Sequence, residues 1–222
     1  MRDAYFDQLD SIVDDLVAMT HEVQTAVSRS TRALLTADAE VAERVISNDV
    51  DVDAAREKIE GRCFELLALQ QPVASDLRMI VAALRMVADL ERMGDLSVHV
   101  AKVARLRVPD LAIPDQLVPT IERMAAVAER MVGEAASIIA ERDVERAHAL
   151  EKSDEEMDRL RAWSFRVMLA DDWAYGVEPA VDIALLGRYY ERIADHAVSL
   201  ARRVVYLVTG ETHSIPDAAA TR

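Results

Sequence analysis

The sequence predicts an all-α fold, two tandem homologous three-helix bundles made from six long helices, and three observations carry that expectation. Glycine and proline number only six each in 222 residues and aromatics are 5%, so the turn and strand residues that sandwiches and barrels need are missing. Apolar residues recur at three- and four-residue spacing through long proline-free tracts, the period of a helix with one buried face. The chain also repeats itself once. With 51% apolar and 30% charged residues it can fill a core and solvate a surface, which excludes wholesale disorder.

The helices run in order from the first proline-free tract. Residues 5–71 contain no proline, yet one helix of that length would run to roughly 100 Å at ~1.5 Å per residue, so the tract must break. Thr36-Ala37-Asp38 supplies the break, because Asp38 can N-cap a second helix beginning Ala39-Glu40-Val41, whose early acid suits the positive end of the helix dipole. This places helices at 4–36 and 39–69. Prolines at 72, 109, 114, 119 and 179 punctuate the rest of the chain, giving 75–106 and 115–141. Asp143 repeats the capping role after Glu141-Arg142, opening 144–171, and the last helix spans 178–208. The polar stretch 211–222 is expected to be a disordered tail.

These six helices are two copies of three. An offset of 105 sets Asp38 on Asp143, Ala42 on Ala147, Asp49 on Asp154, Asp53 on Asp158 and Arg56 on Arg161. Past the next loop the offset becomes 100, setting Glu91-Arg92 on Glu191-Arg192, Asp95 on Asp195 and Val98 on Val198. A repeat of about 100 residues is too long for a solenoid unit, so a first bundle over 1–108 and a second over 109–210 are expected.

The net charge of −14 repels phosphate backbones and anionic lipid, so no direct nucleic-acid partner is expected and a membrane is reached only through partner proteins. The single cysteine, Cys63, cannot close an intramolecular disulfide, the first residues lack a secretory pattern, and no uncharged run of about 18 residues could span a bilayer; a cytoplasmic protein is expected. No phosphate-binding glycine loop, nucleophile elbow or Cys/His cluster is present, so the chain reads as a non-enzyme.

The chemistry-bearing feature is a set of acid pairs. Two acids four residues apart share a helix face and can grip one ion or bridge two. There are ten such pairs where chance gives about seven, so spacing alone decides nothing. Placement decides more: Asp49/Asp53 and Glu91/Asp95 recur as Asp154/Asp158 and Glu191/Asp195, on the second and third helices of each copy. Glu91 and Asp95 also fall within the apolar stripe set by Ile80, Leu84, Val87 and Val98, where like charges need a cation. Oxygen-only ligands suit hard cations such as magnesium, manganese or calcium, or carboxylate-bridged iron. The alternative cation is arginine, with Arg56, Arg161, Arg92 and Arg192 recurring beside the acids. His99 extends the Glu91/Asp95 face, but its counterpart is Ser199; His196 lies off that face.

Asp89-Leu90-Glu91-Arg92-Met93-Gly94-Asp95 and Tyr190-Glu191-Arg192-Ile193-Ala194-Asp195-His196 resemble the repeated signature of the PhoU family of phosphate-signalling regulators, and the runs Asn48-Asp49 to Asp53 and Ser153-Asp154 to Asp158 resemble its other repeated motif. The resemblance covers the chain to about residue 208. It implies paired three-helix bundles, multinuclear metal clusters (iron, zinc, manganese or magnesium) on the eight repeated acids, a homodimer, and a regulator linking the phosphate ABC transporter and its ATPase to a sensor histidine kinase as a negative regulator of phosphate uptake. One departure is Asp89, matched by Tyr189, so the two sites are expected to differ. A ferritin-like di-metal enzyme is the competing class, but the residues three after Glu91 and Glu191 are Gly94 and Ala194 where such sites place histidine. A metal-free structural bundle is the third reading.

Six methionines, 19, 79, 86, 93, 124 and 131, are expected to fill core gaps, Trp163 and Trp173 to anchor the end of the fifth helix, and Cys63 to be a packed thiol.

Overall fold

The computed structural model describes residues 2–152 and 154–211; the expected tail lies, apart from Glu211, outside the described residues. Among the described residues there are eight helical stretches and no strand: α1 Arg2–Thr36, α2 Ala39–Ser47, α3 Asp49–Gln70, α4 Ser75–Arg107, α5 Val118–Glu141, α6 Val144–Lys152, α7 Asp154–Met168 and α8 Val177–Thr209. The expected helix over 39–69 is therefore two. Asn48 sits at φ −82°, ψ −1°, and Asp51 donates its N–H to the Asn48 carbonyl, a tight three-residue turn that interrupts the α ladder. The expected helix over 144–171 is seen as α6 and α7 on either side of Ser153, which is outside the described residues, and α7 stops at Met168. The fourth helix starts at Val118, not 115, with Pro119 in its first turn, where a missing N–H costs nothing.

The corner that opens each repeat's second helix is built twice from the same parts. Ala37 and Arg142 end α1 and α5 in the left-handed region, at φ 49° and 53°. Asp38 and Asp143 then cap the next helix, their carboxylates accepting from the N–H of Val41 and of Arg146, each at 2.9 Å.

Each repeat packs its own three helical segments, with α2–α3 against α1 and α4, and α6–α7 against α5 and α8. The repeats then meet like to like: α1 packs on α5 and α4 on α8, so α1, α4, α8 and α5 close a four-membered ring with α2–α3 and α6–α7 outside it. The α4–α8 contact is antiparallel. Arg107, at the end of α4, donates to Asp182 at 2.6 Å and to Glu178 near the start of α8. Tyr190, the largest fully buried side chain, reaches from α8 across the ring to α1, where its hydroxyl meets that of Thr31 at 2.9 Å. One continuous apolar core runs through both repeats, and all six methionines lie in it. No helix among the described residues is long and apolar enough to cross a membrane.

Candidate functional site

The first acid cluster lies where the start of α3 meets the middle of α4. Gly94 marks the approach: a Cβ there would stand 3.2 Å from a methyl of Val52 and 3.6 Å from Asp49 Oδ1. With no side chain in the way, the start of α3 brings Asp49 into the electrostatic neighbourhood of Asp95 and Glu91, with Asp53 one turn further along α3. Asp49 and Glu91 are half-buried, Asp53 and Asp95 exposed. Burial first, then the charges of Asp95 and Asp53, hold the Asp49 carboxyl above its ordinary range; Lys102 opposes them and Glu91 adds to them. Among the described residues no ion pair engages Asp49, Glu91 or Asp95; Asp53 has only Arg56, at 3.9 Å. A cavity of about 560 Å³ opens beside the cluster, lined by His21, Glu22, Arg29, Asn48, Asp49 and Asp51 among others.

The second cluster is built differently. Glu191 is buried, and Arg161 donates to its Oε1 at 2.9 Å while Arg188 donates to its Oε2 at 2.7 Å. Burial and Glu191 raise the Asp195 carboxyl, Arg188 and His196 lower it, and Asp158 raises it, which puts Asp158 and Asp195 in one electrostatic neighbourhood. The side chain of Asp154, the fourth expected ligand here, is outside the described side chains. Arg188 escaped the sequence reasoning, although the signal was present: an arginine three residues before Glu191, where the first copy has Ala88.

Other candidates find separate roles. Asp89 turns to α8, where its oxygens lie 3.0 Å from His196 Nδ1 and 3.1 Å from Arg203 Nε. His99 stacks on Tyr189 with ring centroids 5.3 Å apart. Arg92 and Arg192 are exposed and form no ion pair with any described residue. Trp173 anchors its loop by donating to the Gly176 carbonyl at 2.7 Å, but Trp163 is half exposed beneath the Arg166 guanidinium; a position near a helix end does not say which face the ring occupies.

The donor sets of the two clusters differ. The first offers carboxylate oxygens that repel one another, which fits a hard divalent ion in charge and ligand type. Among the described residues no three His, Cys, Asp or Glu side chains stand close enough to share one ion, so these rotamers would have to turn inward to bind. In the second, both oxygens of the buried glutamate already have guanidinium partners.

A duplicated all-helical protein that repeats the same acidic positions in each half is the class that fold and site define. The particular family is PhoU: the PhoU domain model matches residues 16–104 and 121–204, and the chain belongs to that family. The phosphate-specific transport system accessory protein PhoU homolog 2 of Mycobacterium tuberculosis is 43% identical over 210 residues, 95% of this chain and 99% of that one. The crystal structure of PhoU from Pseudomonas aeruginosa matches with a TM-score of 0.82 at 29% identity, covering 93% of this chain and 100% of that one. The phosphate transport system regulatory protein PhoU from Streptococcus pneumoniae matches with a TM-score of 0.85 at 25% identity, over 95% and 100% of the two chains.

Proposed function

We propose that this chain is an accessory protein of phosphate-specific transport that restrains uptake and phosphate-responsive gene expression when phosphate is plentiful. It joins the transporter ATPase to a sensor histidine kinase through protein contacts, as a cytoplasmic homodimer, and turns over no substrate. The observation that carries this reading is family membership along nearly the whole chain, together with relatives named for phosphate transport. The charge of −14 supports docking on basic protein surfaces, so binding weakens as salt rises. No histidine partners either cluster in the Glu-x-x-His manner of a di-iron enzyme, which favours the adaptor over the ferritin-like reading.

The adaptor is also read as cation-binding. Asp49, Asp53, Glu91 and Asp95 would hold the ion; manganese, magnesium, zinc and iron all accept oxygen ligands. When bound it supplies the positive charge that these acids lack and ties the start of α3 to the middle of α4.

The test is a deletion strain grown in phosphate-rich medium. Expression of the transporter genes is expected to rise, and a pull-down at low ionic strength to recover the kinase or the ATPase. Unchanged expression, in a strain where any second copy of the gene is also removed, would refute the regulatory reading.

A further inference from the structure

The two repeats carry the same acidic positions, yet the positive charges around them differ, and two substitutions between the copies account for the difference. Arg188 donates to Glu191 at 2.7 Å from the preceding turn of α8; the matching residue on α4 is Ala88, which has no charge to offer. Arg161 crosses from α7 to reach the other oxygen of Glu191 at 2.9 Å. Its match, Arg56, stays on its own helix between Asp53 at 3.9 Å and Glu60 at 3.6 Å. The position matching Glu60 is Phe165, whose ring centroid lies 5.7 Å from the Arg161 guanidinium carbon. Phenylalanine supports that guanidinium on its face but cannot hold it along α7 as a carboxylate would, so Arg161 is free to turn to Glu191.

We propose that the second cluster is an arginine clasp that fastens α7 to α8 and takes no cation, so that the chain carries one open carboxylate centre, in the first repeat, instead of two. The physical reason is displacement. A divalent ion that took Glu191 as a ligand would have to strip two charge-assisted hydrogen bonds from a buried glutamate, and one bound beside it on Asp195 would face the Arg188 guanidinium as a like charge. At the first cluster no guanidinium among the described residues donates to Asp49, Glu91 or Asp95, and the one ion pair is the long Asp53–Arg56 contact at 3.9 Å, so an ion would relieve repulsion that is already there. The open half of this proposal rests on the cation reading above; the clasp does not.

The test uses the full chain, first in chelator and then equilibrated with Mn²⁺ and desalted. In chelator, Glu191→Gln and Arg188→Ala should each lower the melting temperature by several degrees, because each leaves part of the clasp without its opposite charge. Glu91→Gln should leave it unchanged or raise it, because it removes one of several mutually repelling charges. With Mn²⁺, Asp95→Asn should abolish retention and Asp195→Asn should leave it at the wild-type level. Equal destabilisation by Glu91→Gln and Glu191→Gln in chelator would overturn the clasp, as would loss of manganese in Asp195→Asn matching that in Asp95→Asn. A wild-type chain that retains no manganese would overturn the open first centre and the cation reading with it, while the chelator measurements decide the clasp alone.

Discussion

Cys63 is fully buried in α3, and burial above all pushes its thiol up to about 11, with nearby Arg62 opposing the rise and Glu60 adding to it. A raised thiol pKa keeps the sulfur protonated through neutral and mildly alkaline pH, and the thiolate is the reactive form. The native chain should therefore resist a maleimide at pH 8 and react only after denaturant is added; rapid labelling in native buffer would contradict this. Tyr190 gives a second residue-scale expectation. Tyr190→Phe keeps the ring in the core but strands the Thr31 hydroxyl, which should cost about 1 kcal/mol, read as a lower urea midpoint with an unchanged slope. The thiol's burial was legible from helical periodicity. The Thr31 partnership was not, because its two residues lie 159 positions apart on helices that meet only across the ring.

At the scale of elements, the duplicated corners are where local chemistry speaks most plainly. Ala37 holds φ 49° without glycine's freedom, so Ala37→Gly should stabilise the chain by up to about 1 kcal/mol, the relief of left-handed strain exceeding the entropy glycine loses. Asp38→Ala should cost about 1 kcal/mol by leaving the Val41 N–H without its cap. Paired thermal melts of the two variants check both signs at once, and a destabilised Ala37→Gly would show that the corner is not strained. Both aspartate caps were readable because a cap needs only residue type and position. The break at Asn48 was not, since nothing in Ser47-Asn48-Asp49 forbids a continuous helix; α3 takes a new course there as it packs on α4 beside Gly94.

For the whole molecule, the shared core has a thermodynamic consequence. Since α1 packs on α5 and α4 on α8, separating the repeats would expose apolar faces from four helices, and the halves should unfold together. Both tryptophans lie in the second half, at 163 and 173, whereas helical circular dichroism reports on both halves. Urea transitions followed by the two signals should therefore coincide, and a fluorescence transition displaced from the dichroism transition would mean that the repeats fold as separate units. The ring also explains Asp89. It stands beside the acidic signature in sequence, yet it serves the seam between repeats, through His196 and Arg203, instead of the cluster.

Helix content, the two capped corners, the methionine core and the duplication were all decided by the order of residues alone, because each rests on spacing within one helix or on a match between two stretches of chain. So was the proximity of the acids in pairs, four residues apart on one helical face. The cations around those acids belong to the tertiary structure. Arg56 and Arg161 occupy the same place in the repeat, but one is held along its helix by Glu60 and the other, above Phe165, crosses to a neighbouring helix and a buried glutamate. A long, flexible side chain takes the partner that packing brings within reach, and that choice depends on distances between helices that no spacing along the chain encodes.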